Sequence, residues 1–374
     1  MENLFNVEES RRQNVVTIKV VGVGGGGNNM VDRMVREGLK GVEMIAANTD
    51  LQHLATSLAA CKLQLGEKLT KGLGAGMKPE VGKEAAEESY EHIKETLKGA
   101  NIVFVATGLG GGTGTGASSV VARAAREMGA LTIAVCTMPF ANEGKKRMSL
   151  ARQGLEDLKK ECDSIVLIQN QKLLSVIDKN VGYNESFVIV DSVLARAVRG
   201  MSSIVLPNDM PGIKTDFADL STVMGHKGTA LLGMGSAKGG DAAYNAIKEA
   251  IESPLLENLS INGACGVLVN FQFNPNYPFA AIDRALAFIN EAADENAEVI
   301  FGTTQDENMD AEEVAVTIIA TGFDMLAANN PPHAAEKTAQ KPPIIRPMFD
   351  RKTGTDGYNG TDLDIPPYIR NQLD

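Results

Sequence analysis

The segment Gly108-Leu-Gly-Gly-Gly-Thr-Gly-Thr-Gly116 packs six glycines and two threonines into nine residues. It lies between an apolar run, Asn101–Thr107, and a helical pattern over Ala117–Met128. A flexible surface linker does not fit between a buried strand and a helix. A turn of this kind presents consecutive backbone N–H groups and two hydroxyls, a nest for several phosphate oxygens. A second run, Gly22-Val-Gly-Gly-Gly-Gly27-Asn28-Asn29, follows the strand-like Thr17–Gly22 and precedes a helix through Val35. It satisfies the dinucleotide pattern G-x-G-x-x-G at Gly22, Gly24 and Gly27, with Asp50 near the position of the ribose-binding acid. A third stretch, Gly72–Gly76, places Gly74, Ala75 and Gly76 where they could close over the end of a phosphate chain. Two or three such loops favour a nucleoside triphosphate over a dinucleotide. The P-loop sequence G-x-x-x-x-G-K-[ST] does not occur, so backbone amides and helix dipoles would hold the phosphates, with Mg²⁺ neutralising their charge. A nicotinamide-dependent oxidoreductase using the Gly22–Gly27 loop stays open on this ground alone.

The rest of the chain repeats the strand–helix alternation. Gly41–Ala47, Leu131–Cys136 and Ser164–Ile168 read as strands, and Pro79–Leu97, Lys146–Lys160 and Ser186–Met201 as helices. Such alternation predicts an α/β fold with a parallel sheet covered on both faces. Pro207, Pro211 and Gly212 mark a break. Beyond it a second, smaller α/β unit is expected: a helix from Asp216, then Ala230–Met234, Asp241–Glu252, Gly266–Phe273, Phe279–Ala292, Glu298–Thr303 and Val314–Thr321. Seven of the fourteen prolines fall between Pro331 and Pro367, which predicts a disordered linker. The closing LDIPPYIRNQLD regains apolar character and reads as a docking peptide.

Composition excludes several classes. A formal net charge of −11 argues against a nucleic-acid binder and against direct docking on an anionic membrane. No apolar run approaches the roughly 20 residues of a membrane helix, and Met1–Asn14 lacks the apolar stretch of a secretory signal. The four cysteines are scattered singly, which predicts neither a zinc site nor a disulfide framework and suits a reducing cytoplasm. The histidines are too separated to suggest a catalytic cluster.

Base and ribose readers can be proposed from residue chemistry. Guanine shows two adjacent donors that one carboxylate accepts together, which adenine cannot offer. Asp191 lies four residues after Phe187 on one helix face, so Phe187 could stack on a base that Asp191 reads, the alternative being a core ring and a solvated charge. Glu143 and Arg147 follow the strand ending near Thr137; Glu143 could meet ribose hydroxyls and Arg147 the base or a phosphate, or the two could simply open a solvated helix. Asp216 and Asp219 either cap a helix or orient water against a phosphate.

Taken together, IKVVGVGGGG, AANTD, KGLGAG, GLGGGTGTGA, PFANEGKKRM, DFADLSTVM and the closing peptide resemble the FtsZ family of bacterial tubulin-like cell-division GTPases. The similarity spans most of 15–325 and resumes at 363–374. It implies a tubulin-like two-domain fold: a flexible segment 1–14, a GTP-binding domain 15–185, a central helix 186–206, a smaller α/β domain 207–326, a linker 327–362 and a tail 363–374. It implies GTP or GDP with Mg²⁺, the metal carried by the nucleotide. Nucleotide contacts fall on Gly25, Gly26, Gly27, Asn28, Asn29 and Asn48, on Gly74, Ala75 and Gly76, and on Gly111, Gly112, Thr113, Gly114 and Thr115. Glu143 and Arg147 match ribose and nucleotide contacts, and Asn170, Phe187 and Asp191 match base contacts. Asp216 and Asp219 match the acids that act on the neighbouring subunit's GTP. The tail residues Leu363, Asp364, Ile365, Pro366, Tyr368, Ile369 and Arg370 match the segment that binds membrane-tethering partners.

The resemblance also implies a cytoplasmic GTPase that polymerises head to tail and forms the ring at the bacterial division site, reaching the membrane only through partners. A non-hydrolysing filament scaffold is the alternative. Two positions depart from the family pattern. Asn28 stands where a fifth glycine is usual, read as an Asn tolerating a left-handed turn. Lys214 stands where Asn is common, which bears on the hydrolysis rate.

Overall fold

The computed structural model describes residues 16–173, 182–206, 217–226, 228–256, 263–295 and 297–323. The expectations for 1–14, 327–362 and the tail 363–374, and those for Lys214 and Asp216, lie outside them. Chain order begins with β1 (Ile18–Val23), α1 (Gly24–Arg36), β2 (Val42–Asn48), α2 (Leu51–Thr56), β3 (Cys61–Gln64) and α3 (Glu67–Thr70). Next come α4 (Pro79–Glu88), α5 (Tyr90–Leu97), β4 (Ile102–Gly108), α6 (Thr113–Glu127), β5 (Leu131–Met138), α7 (Lys145–Glu161), β6 (Ser164–Gln169) and α8 (Asn170–Leu173). The long α9 (Tyr183–Val205) leads to α10 (Phe217–Met224), β7 (Thr229–Lys238), α11 (Ala242–Ile251), β8 (Gly266–Phe273), α12 (Phe279–Ala292), β9 (Glu298–Gln305) and β10 (Glu313–Thr321).

The strands form one ten-stranded sheet in the order β3-β2-β1-β4-β5-β6-β7-β10-β8-β9. Strands β1 to β6 are all parallel. The central ones, β1 and β5, are buried along their whole length, which is why they read as continuous apolar runs. The alternation persists beneath: on β4, Ile102, Phe104 and Ala106 enter one core while Val103 and Val105 enter the other. The first of these cores is shared with α9 through Val190, Leu194, Ala197 and Met201, which recur at helical spacing along one face. It continues to Leu220, Leu232, Leu268 and Ile319, so the central helix packs on both parts of the chain.

The second α/β part differs from a plain parallel sheet. Strand β7 joins β6 in parallel over only two residue pairs, Ile165–Thr229 and Val166–Ala230. Strand β10 then runs antiparallel to both β7 and β8, while β9 is parallel to β8.

One expected helix is two. The pattern Pro79–Leu97 breaks at Ser89, whose hydroxyl accepts the N–H of Gly66 at 3.0 Å. The carboxylate of the preceding Glu88 takes the N–H groups of Lys68 and Leu69 at 2.9 and 3.0 Å. The break turns two side chains onto α3, which otherwise has no side-chain cap. Helix α3 and the neighbouring α2 and β3 have four to six residues each, too few to show a period.

Candidate functional site

Two helix starts meet where β1 and β4 end. Helix α1 follows β1 without a linker, and its first residue, Gly24, has φ +71°. A Cβ there would stand 2.6 Å from the N of Gly114, in the first turn of α6. Only glycine satisfies both the backbone angle and this approach. Neither helix carries a side-chain N-cap, and neither has an acid in its first turn. Two sets of orphan N–H groups, each at the positive end of a helix dipole, therefore lie side by side. Around them Gly25 and Gly111 are half-buried and Gly26 is exposed.

The remaining residues of the three loops hold this arrangement from behind. The Thr49 and Thr113 hydroxyls share a hydrogen bond of 2.6 Å. Thr115 is turned inward, its hydroxyl accepting the N–H of Gly110 at 2.8 Å. Thr107 donates to the carbonyl of Gly114 at 3.0 Å. Both threonine hydroxyls expected to face phosphate thus have a partner within the loops. Gly74 donates to the Thr49 carbonyl at 3.2 Å, while Ala75 is buried where a Cβ on Gly112 would come within 2.8 Å of it. Gly27 and Gly112 are buried, and Gly76 carries φ +55° with open space around it.

Asn28 corrects an expectation. It lies within α1 and is wholly buried; among the described residues outside glycine, only Lys71 and Met77 take positive φ. With its amide nitrogen turned inward it donates toward the carbonyls of Gly22 at 2.9 Å, Gly24 at 2.7 Å and Ala47 at 3.2 Å. Its side chain therefore ties the loop to β2 and is no substitute for a left-handed glycine. Asn48 is buried and accepts the N–H of Asp50 at 3.2 Å. Asp50 itself caps α2, accepting from Gln52 and His53 at 2.9 and 3.2 Å. Its carboxylate is engaged by the backbone, which removes the acid that the dinucleotide reading wanted.

A cavity of about 350 Å³ adjoins the loops, lined by Asn29, Asp32, Arg33 and Arg36 of α1 and by Phe187, Val188 and Asp191 of α9. Burial pushes the Asp191 carboxyl up to about 7, against a smaller opposing effect from the charge of Arg33. Phe187 stands edge-on to Phe140 with ring centroids 5.2 Å apart. Glu143 accepts the N–H of Phe140 at 2.7 Å and pairs with Arg147 at 2.8 Å. Two further residues of the predicted site, which do not line that cavity, have a buried polar atom without a protein partner: Arg147 Nε and the Asn170 side-chain oxygen. Buried polar atoms without a partner are uncommon, and a polar ligand would satisfy them.

The structure thus gathers the predicted residues of both glycine loops at one end, and Asn29, Phe187 and Asp191 around one cavity. The α1 wall of that cavity, Asp32, Arg33 and Arg36, was not singled out by sequence reasoning. The signal available was spacing: Arg33 follows Asn29 by four residues on the helix that the glycine loop opens. Asp219 sits exposed in the first turn of α10 and does not line the cavity. Asp216, and the tail from Leu363 to Arg370, lie outside the described residues. Among the described residues no group of three or more His, Cys, Asp or Glu could hold a metal, and no helix is long and apolar enough to cross a membrane.

Comparison with known proteins gives two family matches. Residues 17–178 match the Tubulin/FtsZ family, GTPase domain, and residues 228–324 match the FtsZ family, C-terminal domain. Among solved structures, an FtsZ dimer from M. jannaschii is 40% identical, covers 84% of this chain and 90% of its own, and superposes with a TM-score of 0.79. A CetZ2 from Haloferax volcanii, described as a GTPγS-bound protofilament, is 20% identical over 82% of this chain and 93% of its own, with a TM-score of 0.68. At that identity the second likeness speaks for the fold alone.

Proposed function

The chain belongs to the tubulin/FtsZ family, whose GTPase domain hydrolyses GTP, and from that premise we propose how this chain binds its nucleotide and what it builds. The phosphates lie against the starts of α1 and α6, Glu143 and Arg147 meet the ribose side, and guanine enters the cavity between α1 and α9. There Asp191 accepts the paired N1–H and amine donors, Phe187 contacts the base, and Asn170 gains a partner for its oxygen. The meeting of two uncapped helix starts at Gly24 and Gly114, beside a cavity holding the half-buried Asp191, carries this reading. Mg²⁺, carried by the nucleotide, would neutralise phosphate charge.

Hydrolysis is completed between subunits. Asp216 and Asp219, far along the chain from the loops, act on the neighbour's GTP, while backbone amides stabilise charge on the transferred phosphoryl group and water attacks in line. A head-to-tail contact repeats without closing and makes filaments. The dimer described for the 40%-identical FtsZ from M. jannaschii supports this. In the cell these filaments form the cytokinetic ring at the division site, held to the membrane by partners of the 363–374 peptide.

Phosphate release from purified protein, measured across a concentration series with GTP and with ATP, tests the reading. Specific activity should rise with concentration for GTP only. Equal activity at high dilution would place the whole site in one chain, and GTP binding without turnover at any concentration would favour a scaffold disabled at Lys214. Asp219→Ala should still bind GTP yet turn it over very slowly.

A further inference from the structure

The α1 wall of the base cavity contains an arginine held in place by its own ion network. Arg33 donates through Nε to Glu37 Oε1 at 2.6 Å, its only hydrogen bond among the described residues, and both Nη groups remain on the side chain that lines the cavity. The neighbouring Asp32 accepts Ser57 Oγ and the N–H of Leu58 through one oxygen, Oδ1, both at 2.7 Å, and forms no ion pair with Arg33 among the described residues. Arg36 is exposed. Glu37 has a second arginine: Arg199 of α9 lies 3.5 Å from its carboxylate and donates to its backbone carbonyl at 3.1 Å.

Glu37 is an unusual residue for its place. It is the C-cap of α1, where the helix dipole disfavours an acid. Two arginines, Arg33 of α1 and Arg199 of α9, offset that cost. The outcome is a chain of contacts, Arg33–Glu37–Arg199, that ties α1 to α9 below the cavity and fixes the Arg33 stem. A guanidinium so fixed loses less freedom when it binds a ligand.

We propose that Arg33 is a second base-reading residue, its guanidinium fork donating to O6 and N7 of a guanine whose N1–H and amine are accepted by Asp191, and that Glu37 and Arg199 are the positioning pair that hold it there. The inference rests on the base site proposed above. Its chemistry is that of arginine with guanine generally: O6 and N7 are adjacent acceptors spaced for two N–H donors. Adenine presents an amine in place of O6, so Arg33 rejects it from one edge while Asp191 rejects it from the other.

Nucleotide titrations on the full chain separate the two edges. Inosine triphosphate lacks the amine that Asp191 reads, and 7-deaza-GTP lacks the N7 that Arg33 reads. Wild type should bind each analogue more weakly than GTP. Arg33→Ala should weaken GTP about tenfold, the scale of one hydrogen bond to a charged group. It should erase the 7-deaza penalty and leave the inosine penalty intact. Glu37→Gln and Arg199→Met should give the same pattern in weaker form, a signature that general loosening of the fold would not produce. Arg33→Lys keeps the charge and the stem, so it guards against misfolding. It should lose the 7-deaza discrimination while retaining part of the GTP affinity. Unchanged GTP affinity in Arg33→Ala, or an equal loss for all three nucleotides, would overturn the assignment while leaving the base site standing. A wild-type chain that binds no GTP would remove the base site and this inference with it.

Discussion

The end of the site proposed for phosphate presents backbone, whereas the end proposed for the base presents side chains from α1 and α9. The first end is built by removing side chains. Glycines let two helix starts touch, and Asn28, Thr107, Thr113 and Thr115 brace the loops from within. The second end is built by placing side chains across two helices that are far apart in sequence. The first end therefore offers few atoms to alter without disturbing the fold. The second can be altered group by group, with changes in selectivity expected before changes in stability.

The largest effect should follow from filling the space between the two helix starts. In Gly114→Ala the new Cβ would stand 2.7 Å from the Gly108 carbonyl oxygen and 2.8 Å from Thr107 Oγ1. The carbonyl is backbone and cannot turn aside, so the α6 start must move. Overpacking of this kind costs about 1–3 kcal/mol of stability, and GTP binding should fall below detection because the amides lose their alignment. Denaturant unfolding and GTP titration check both parts. A variant that binds GTP normally would mean that the phosphate end tolerates change as the base end does.

Next in size is the loss of base choice. Asp191→Ala should weaken GTP by about 1–3 kcal/mol, the cost of leaving guanine's donors unpaired, while ATP binding stays as it was. The empty protein should not be harmed. Burial raises the Asp191 carboxyl to about 7, so the native state holds its charge unwillingly above that pH, and an uncharged residue there removes the strain. Unchanged preference for GTP over ATP would discard Asp191 as the reader.

The same carboxyl gives a smaller, graded effect with pH. Empty, it titrates near 7; paired with guanine's donors it favours the charged form, so binding releases a proton. GTP affinity should be flat above pH 7 and fall as pH drops below it, by up to about tenfold per unit. Of the charged groups that line the cavity from α1, Asp32, Arg33 and Arg36, it is Arg33 whose charge opposes the rise. Titration calorimetry in buffers of different ionisation enthalpy counts the proton, and Asp191→Asn should flatten the profile.

The same contrast explains what could be read from sequence. Glycine density between a strand and a helix is a local signal, and the phosphate end is local: Gly22–Asn29 and Gly108–Gly116 each fold within one strand–helix junction. The parallel strands were legible too, because burial on both faces leaves no charged residue in Ile102–Thr107 or Leu131–Cys136. The base end depends on α1 lying beside α9, which begins at Tyr183, so Arg33 and Glu37 look like ordinary surface charges until the helices pack. The break at Ser89 was hidden for a related reason: its cause, Gly66, lies outside the helix that breaks. Asn28 misled because a loop position was inferred from glycine neighbours, whereas helix α1 has already begun there.

The smallest structural effect is expected at Gly111, and it tests the phosphate end most narrowly. Gly111 is one of the six glycines of the Gly108–Gly116 loop, yet its backbone is not left-handed and a Cβ on it would meet no protein atom within 4 Å. If the loop's glycines served only to let the chain fold, Gly111→Ala would be silent. If backbone beside the α6 start is kept bare for a ligand, the added methyl intrudes on the ligand and not on the protein. Stability should therefore stay within about 0.5 kcal/mol of wild type, while GTP and GDP affinities fall together, because the methyl obstructs phosphates and leaves the base edge untouched. The preference for GTP over ATP should not change. Melting temperature and the two nucleotide titrations decide it. Unaltered affinity would mean that phosphate does not approach Gly111, and the anion would then rest on the α1 start and the remaining amides of α6.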